Sequence, residues 1–232
     1  MKISDAVVLV TGGGRGFGRA VVDEALDRGA RKVYATARDV TTITDPRVTP
    51  LPLEITDPAA VRALADAAPD VTLLVNNAAG IVGASFVGSD EADVRREFEV
   101  NFFGPLAVVR AVAPLIARNG GGHVLNVASV LSWIALGGSY SASKAALWSM
   151  SNALRLELAP DGIGVTSLHV GYMDTDMAAH VTEPKADPRT VAALALDGVE
   201  AGALEVLADD LTRQVKAGLA ADPAVLYPQL AG

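Results

Sequence analysis

Tyr140 and Lys144 stand four residues apart in the segment Tyr-Ser-Ala-Ser-Lys. On one helix that spacing puts two side chains on the same face. A tyrosine hydroxyl titrates near 10, too high for easy proton exchange at neutral pH. A neighbouring cation favours the phenolate and lowers that value. The pair is therefore a candidate acid/base for an oxygen that gains or loses a proton. A surface tyrosine lying on a lysine stem has the same spacing, but Gly137-Gly138-Ser139 just ahead points to a helix starting at a sheet edge and favours the first reading. Ser129, eleven residues before Tyr140, ends the run HVLNVAS and can donate a hydrogen bond to a substrate oxygen. Ser132 competes for that role; Ser129 is preferred because it directly follows the run. Asn101 lies in a long helical pattern that asparagine suits poorly. Pro105, four residues on, has no N–H to offer the Asn101 carbonyl, which predicts a bend and a carbonyl able to hold a water.

A second chemistry is written in TGGGRGFGRA, Thr11 to Ala20. A glycine-rich turn entering a helix suits a pyrophosphate, because backbone N–H groups point outward and the helix start is partly positive. The spacing matches neither G-x-G-x-x-G nor the nucleotide-triphosphate loop, which from Gly13 would end in Lys-Ser/Thr and here ends in Arg19-Ala20.

The elements that must position these residues alternate. Apolar, β-branched runs occur at 6–10, 32–36, 71–75, 123–127 and 164–170; helical patterns cover 18–28, 59–67, about 90–118, 141–158 and 189–209. The strand runs are continuously apolar, as in parallel strands covered on both faces. The pattern predicts an α/β fold, a doubly wound, mainly parallel sheet with helices on both faces, as one Rossmann-type domain over residues 1–232. Ligands of such sheets bind beyond the carboxyl ends of the strands. That places the glycine loop, Ala37-Arg38-Asp39, Asn76–Gly80, Ala128–Trp133 and Gly171–Met177 at one cleft, with 81–90, 130–139 and 171–190 as substrate-side segments.

Composition narrows the function. A net charge of −8 without a basic run argues against a nucleic-acid surface. There are no cysteines and three scattered histidines, so no metal site is expected. His169, inside a strand run, reads as a core histidine. Asp174 and Asp176 read as the opening of a short helix rather than a metal pair. No apolar run reaches membrane-spanning length, and the expectation is a soluble, cytoplasmic protein without a membrane partner.

Taken together, the motifs resemble those of the short-chain dehydrogenase/reductase family. The resemblance rests on Thr11-Gly12-x-x-x-Gly16-x-Gly18, NNAAG (76–80), Asn101 in EVNFFGP, Ser129, Tyr140-x-x-x-Lys144, and VGYMDT (170–175), in the family's order over about three-quarters of the chain. Two departures are a second alanine after Asn77 and Val170 where the family has proline. The resemblance implies hydride transfer between a nicotinamide dinucleotide and a carbonyl or secondary alcohol. Ser129, Tyr140, Lys144 and Asn101 would then be catalytic, with Lys144 also holding the nicotinamide ribose. It further implies cofactor contacts at Gly12, Arg15, Gly16, Phe17, Gly18, Arg38, Glu54, Ile55, Asn77, Ala78, Ala79, Gly171 and Thr175, and a homodimer or homotetramer. NADP(H) is expected because Arg38, where NAD enzymes place an acid, can grip a 2′-phosphate with its fork of donors, and Arg15 can assist; Asp39 is an alternative ribose ligand. Leu131, Trp133, Ile134, Leu136, Tyr172, Met173, Met177, Val82 and Phe86 predict a largely apolar substrate. Alternative readings are an NADP(H)-binding regulator or sensor without turnover, and a lyase or epimerase. Regulators on this fold typically lose the tyrosine or the lysine, and both are present here.

Overall fold

A computed structural model describes residues 1–227 and Gln229. Seven parallel strands form one sheet: β1 (Val7–Val10), β2 (Lys32–Ala37), β3 (Val48–Pro52), β4 (Leu73–Asn76), β5 (Gly122–Val127), β6 (Ile163–His169) and β7 (Glu205–Leu207), in the order β3-β2-β1-β4-β5-β6-β7. The order reverses beside β1, which pairs with β2 on one edge and β4 on the other, Val8 lying against Val33 and Leu73. The doubly wound parallel architecture read from the strand–helix alternation is therefore the observed one, and the crevice of such a sheet opens at this reversal.

Strand alternation sends side chains to two cores. Val8, Val10, Leu125 and Leu168 face a layer with Phe17, Val21 and Val22 of α1 (Gly16–Asp27) and Val191, Leu196 and Val199 of α6 (Pro188–Ala201). Val7, Leu9, Leu74 and Val124 face the opposite layer, with Val61 and Leu64 of α2 (Pro58–Ala67), Val108, Val112 and Ile116 of α4 (Gly104–Arg118), and Leu154 of α5 (Ser139–Leu158). Each such side chain, fully buried, contributes about 1.5–3 kcal/mol. The helical stretch 91–118 is long and apolar enough to cross a membrane by length and composition alone, yet half of its most apolar window is buried in the fold.

Three expectations are corrected. β3 and β7 do not stand out in the sequence. VTPLP carries two prolines, which are tolerated because β3 is an edge strand, and β7 is only three residues long. The helix expected over 189–209 stops at Ala201, where Gly202 takes a left-handed φ of 66° and ends it. The helix expected over 90–118 is interrupted: α3 (Glu91–Phe98) runs into a π-helical turn at Glu99–Phe103 before α4 begins. The bend anticipated from Asn101 and Pro105 is thus one widened turn within a continuous helical path. Two short helices, α7 (Asp210–Gly218) and α8 (Pro223–Leu226), complete the described chain.

Candidate active site

The glycine loop joins β1 to α1, with Gly12 and Gly16 at φ 66° and 54°. A Cβ at Gly18 would collide with the Gly12 carbonyl, so only glycine lets α1 start this close to β1. Thr11, fully buried, is the hub of the loop. Its Oγ1 accepts the amides of Asn77 and Ala78, both at 3.0 Å, and donates to the Val75 carbonyl at 3.3 Å. The Asn77 side chain donates to the Thr11 and Gly12 carbonyls at 2.9 and 3.2 Å. Asn77 therefore spends its side chain on bracing the loop. Phe17 packs into the core. The start of α1 has neither a capping side chain nor an acid in its first turn, a donor set that suits a dinucleotide pyrophosphate.

Arg38 is exposed directly after β2. Asp39, the competing ribose ligand, accepts from the Thr41 amide at 3.0 Å and from the Thr41 hydroxyl at 2.6 Å. Those two bonds hold its carboxyl below the ordinary carboxylate range. Arg15 reaches the other way, its Nη1 lying 3.6 Å from Asp176 on the segment after β6. Thr175 lies beside Gly16. The Gly171 amide is occupied by Asp209 Oδ2 at 2.7 Å, and Asp209 also caps α7. Glu54 is exposed and accepts from the Thr56 hydroxyl at 3.0 Å, while Ile55 is buried against Gly104.

Tyr140 is the second residue of α5, and Lys144 follows one turn on; both are buried. The Ser129 side chain is the neighbour whose hydrogen-bonding influence lowers the titration of the Tyr140 hydroxyl. Burial, with a smaller push from the Glu97 charge, drives that hydroxyl up to about 12 despite Ser129. The expected depression by Lys144 is absent. The lysine Nζ donates to the Val127 carbonyl at 2.9 Å and lies 5.7 Å from the centre of the Tyr140 ring. Burial also pulls the lysine down to about 8, which leaves it mostly charged at neutral pH but close to its titration range. Burial of the phenol outweighs that charge and holds the hydroxyl protonated.

Both candidate serines take part in the turn after β5. Ser132 Oγ accepts the Ser129 amide at 3.2 Å and Ser129 Oγ accepts the Leu131 amide at 3.1 Å, closing a capping box. Of the two, Ser129 is the one whose influence on the Tyr140 hydroxyl is felt. His169, fully buried as expected, donates from Nδ1 to the Ser129 carbonyl at 3.1 Å and stacks on Trp133 at 4.0 Å. Asn101 holds the π turn to the loop after β4. Its side chain exchanges two 2.9 Å bonds with Gly80 and donates to Ser143 Oγ at 3.1 Å. The apolar segments split. Trp133 and Ile134 are buried and Met173 packs on the core, whereas Val82, Phe86, Leu136, Tyr172 and Met177 are exposed. Among the described residues no cluster of metal-ligating side chains occurs.

A sequence model of the short chain dehydrogenase family matches residues 6–186. The chain belongs to the short-chain dehydrogenase/reductase family. A short-chain dehydrogenase of Burkholderia cenocepacia, solved in complex with NADP, superposes at a TM-score of 0.94 with 39% identity over 100% of both chains. D-erythrulose reductase of Gallus gallus is 37% identical over 73% of this chain and 72% of its own length. Short-chain dehydrogenase ptmH of Penicillium ochrochloron is 35% identical over 72% of this chain, which spans 66% of that relative's length.

Sequence reasoning missed Glu97. It is buried beside Tyr140 and Lys144, but on a helix that also carries Glu91, Asp93, Arg95 and Arg96 a further glutamate reads as part of a solvated face.

Proposed function

We propose that this protein is an NADP(H)-dependent oxidoreductase acting on the carbonyl or secondary alcohol of a largely apolar small molecule, with Tyr140 as the acid/base. The observation that carries the reading is the buried Tyr140 phenol, kept protonated one helical turn from Lys144 and under the influence of Ser129. A bound nicotinamide dinucleotide supplies or accepts the hydride. Ser129 and Tyr140 orient the substrate oxygen, and Tyr140 gives it a proton in the reductive direction. Lys144, drawn down to about 8, can pass a proton on near neutral pH. The Asn101 carbonyl, to which Pro105 offers no N–H, is our candidate for the water that recharges this path.

Holding the dinucleotide would fall to the glycine loop, Thr175 and the backbone of Asn77, Ala78 and Ala79, with Glu54 and Ile55 on the adenosine side. Arg38 would take the 2′-phosphate. The occupation of Asp39 by Thr41 supports that choice, as does the NADP in the Burkholderia cenocepacia relative. Arg15 would join Arg38 after leaving Asp176. The exposed Val82, Phe86, Leu136, Tyr172 and Met177 support an apolar substrate. A cytoplasmic homodimer or homotetramer goes with the same reading.

The test is steady-state reduction of a panel of ketones, aldehydes and keto acids with NADPH and NADH. Tyr140→Phe should abolish turnover, and Asn101→Ala should lower kcat while leaving the NADPH Kd nearly unchanged. Arg38→Asp should weaken NADPH much more than NADH. A fully active Tyr140→Phe, or a wild-type preference for NADH or for small anionic keto acids, refutes the corresponding part.

A further inference from the structure

Glu97 and Lys144 are the only carboxylate and the only ammonium buried among the described residues. A buried charge persists only when hydrogen bonds and an opposite charge compensate it. The Glu97 carboxylate has four such bonds. Oε1 accepts the Val82 amide at 2.7 Å and the Gly83 amide at 3.2 Å; Oε2 accepts the Gly83 amide at 3.2 Å and the Ser139 hydroxyl. Ser139 in turn accepts the Ala84 amide at 3.0 Å, and its own amide donates to the Ala84 carbonyl at 3.0 Å. One carboxylate on α3 thus ties the loop after β4 to the first residue of α5, directly ahead of Tyr140.

We propose that Glu97 is a positioning residue: its carboxylate clamps the substrate-side loop 82–84 to the start of the Tyr140–Lys144 helix and keeps a fixed negative charge beside that pair. The proposal rests on the reading of Tyr140 and Lys144 given above. The charge side has one source. Of the charged residues on α3 only Glu97 is buried, Glu91, Asp93, Arg95 and Arg96 being exposed; Glu99 on the π turn is exposed, and His169 on β6 is bonded to the Ser129 carbonyl. Glu97 raises the titration of both Tyr140 and Lys144.

Clamp and charge can be separated chemically. In Glu97→Gln the amide oxygen can still accept from Val82 and Gly83, and the amide nitrogen can donate to Ser139, which has a second lone pair. The clamp stays and the charge goes. Glu97→Ala loses both. Glu97→Asp keeps the charge but falls a methylene short of Ser139.

The experiment is an NMR titration of protein labelled at the lysine Cε, with Lys144→Met assigning one of the five lysines, alongside hydrogen exchange at the Val82 and Gly83 amides. The Lys144 midpoint, about 8 in the wild type, should fall in Glu97→Gln while the two amides stay protected. In Glu97→Ala the amides should exchange about tenfold faster, the loss of roughly one charge-assisted bond. In the reductase assay Glu97→Ala should raise KM about tenfold on the same basis, with Glu97→Gln restoring KM but moving the alkaline limb of the rate profile to lower pH. A Lys144 midpoint unmoved in Glu97→Gln overturns the charge role, and loop amides as protected in Glu97→Ala or Glu97→Asp as in the wild type overturn the clamp. If the midpoint moves but the wild type reduces no carbonyl, the functional reading falls and the coupling of Glu97 to Lys144 stands.

Discussion

Replacing Thr11 by valine keeps the shape of the side chain and removes one oxygen. That oxygen is the acceptor for two amides, Asn77 and Ala78, at 3.0 Å each, in a position with no solvent exposure. Valine leaves both N–H groups without a partner and with little access to water. Each such group costs about 1–3 kcal/mol. Allowing some relaxation, the loss should be about 2–4 kcal/mol, a large share of the roughly 5–15 kcal/mol that holds an average domain together. At about 2–4 °C per kcal/mol for a chain of this size, the Tm should fall by at least about 4 °C. Thr11→Ser keeps the hydroxyl and should recover most of the loss. The assay is thermal unfolding followed by circular dichroism, with NADPH binding read by fluorescence. Because Asn77 also holds the Thr11 and Gly12 carbonyls, affinity should weaken in valine and recover in serine. A Thr11→Val protein as stable as the wild type would refute the account of the loop as a hydrogen-bonded cradle.

His123 and His169 are both drawn by burial from 6.5 to about 4, so the unfolded chain binds their protons more readily than the folded one. Their contribution is complete above about pH 6.5 and is lost as the pH falls toward 4, up to about 3 kcal/mol for each. Urea unfolding across that range should show the decline, and His169→Gln should flatten it. Gly138 has a φ of 55°, and a Cβ there would strike the Ala84 carbonyl. Gly138→Ala should therefore cost more than about 1 kcal/mol by chemical denaturation and should disturb the loop that Glu97 holds.

The parts legible in the sequence were those with a local signature. Continuous apolar runs gave five of the strands, and the glycine spacing marked the loop. Tyr140 and Lys144 were visible because a helix fixes their relation by spacing alone. Long-range relations were not legible. Nothing in the chain says that Thr11 bonds residues 66 and 67 positions later, or that Glu97 turns inward from a charged helix. Trp133 and Met173 could be assigned to a cleft by position, but which way each side chain turns is decided by packing partners, His169 for the one and the α1–α6 core for the other. The expected effect of Lys144 on Tyr140 failed for a similar reason. Spacing shows that two groups share a helix face, not that the lysine prefers the Val127 carbonyl or that burial outweighs its charge.

The all-parallel strand order also constrains how the protein is made. No pair of neighbouring strands is closed by a hairpin, so every pairing waits for a crossover connection, and such non-local contacts form slowly. On the ribosome, β1 and its glycine loop emerge first but have no inner neighbour until β4 follows some sixty residues later. The brace of the glycine loop can close once Asn77 and Ala78 are out. Ser129, Tyr140 and Lys144 emerge only after a further fifty residues or more. During synthesis the nascent chain therefore completes the glycine loop and its brace from Asn77 before Ser129, Tyr140 and Lys144 emerge, and a ribosome-bound fragment ending between α4 and β5 should protect the Asn77 and Ala78 amides from exchange.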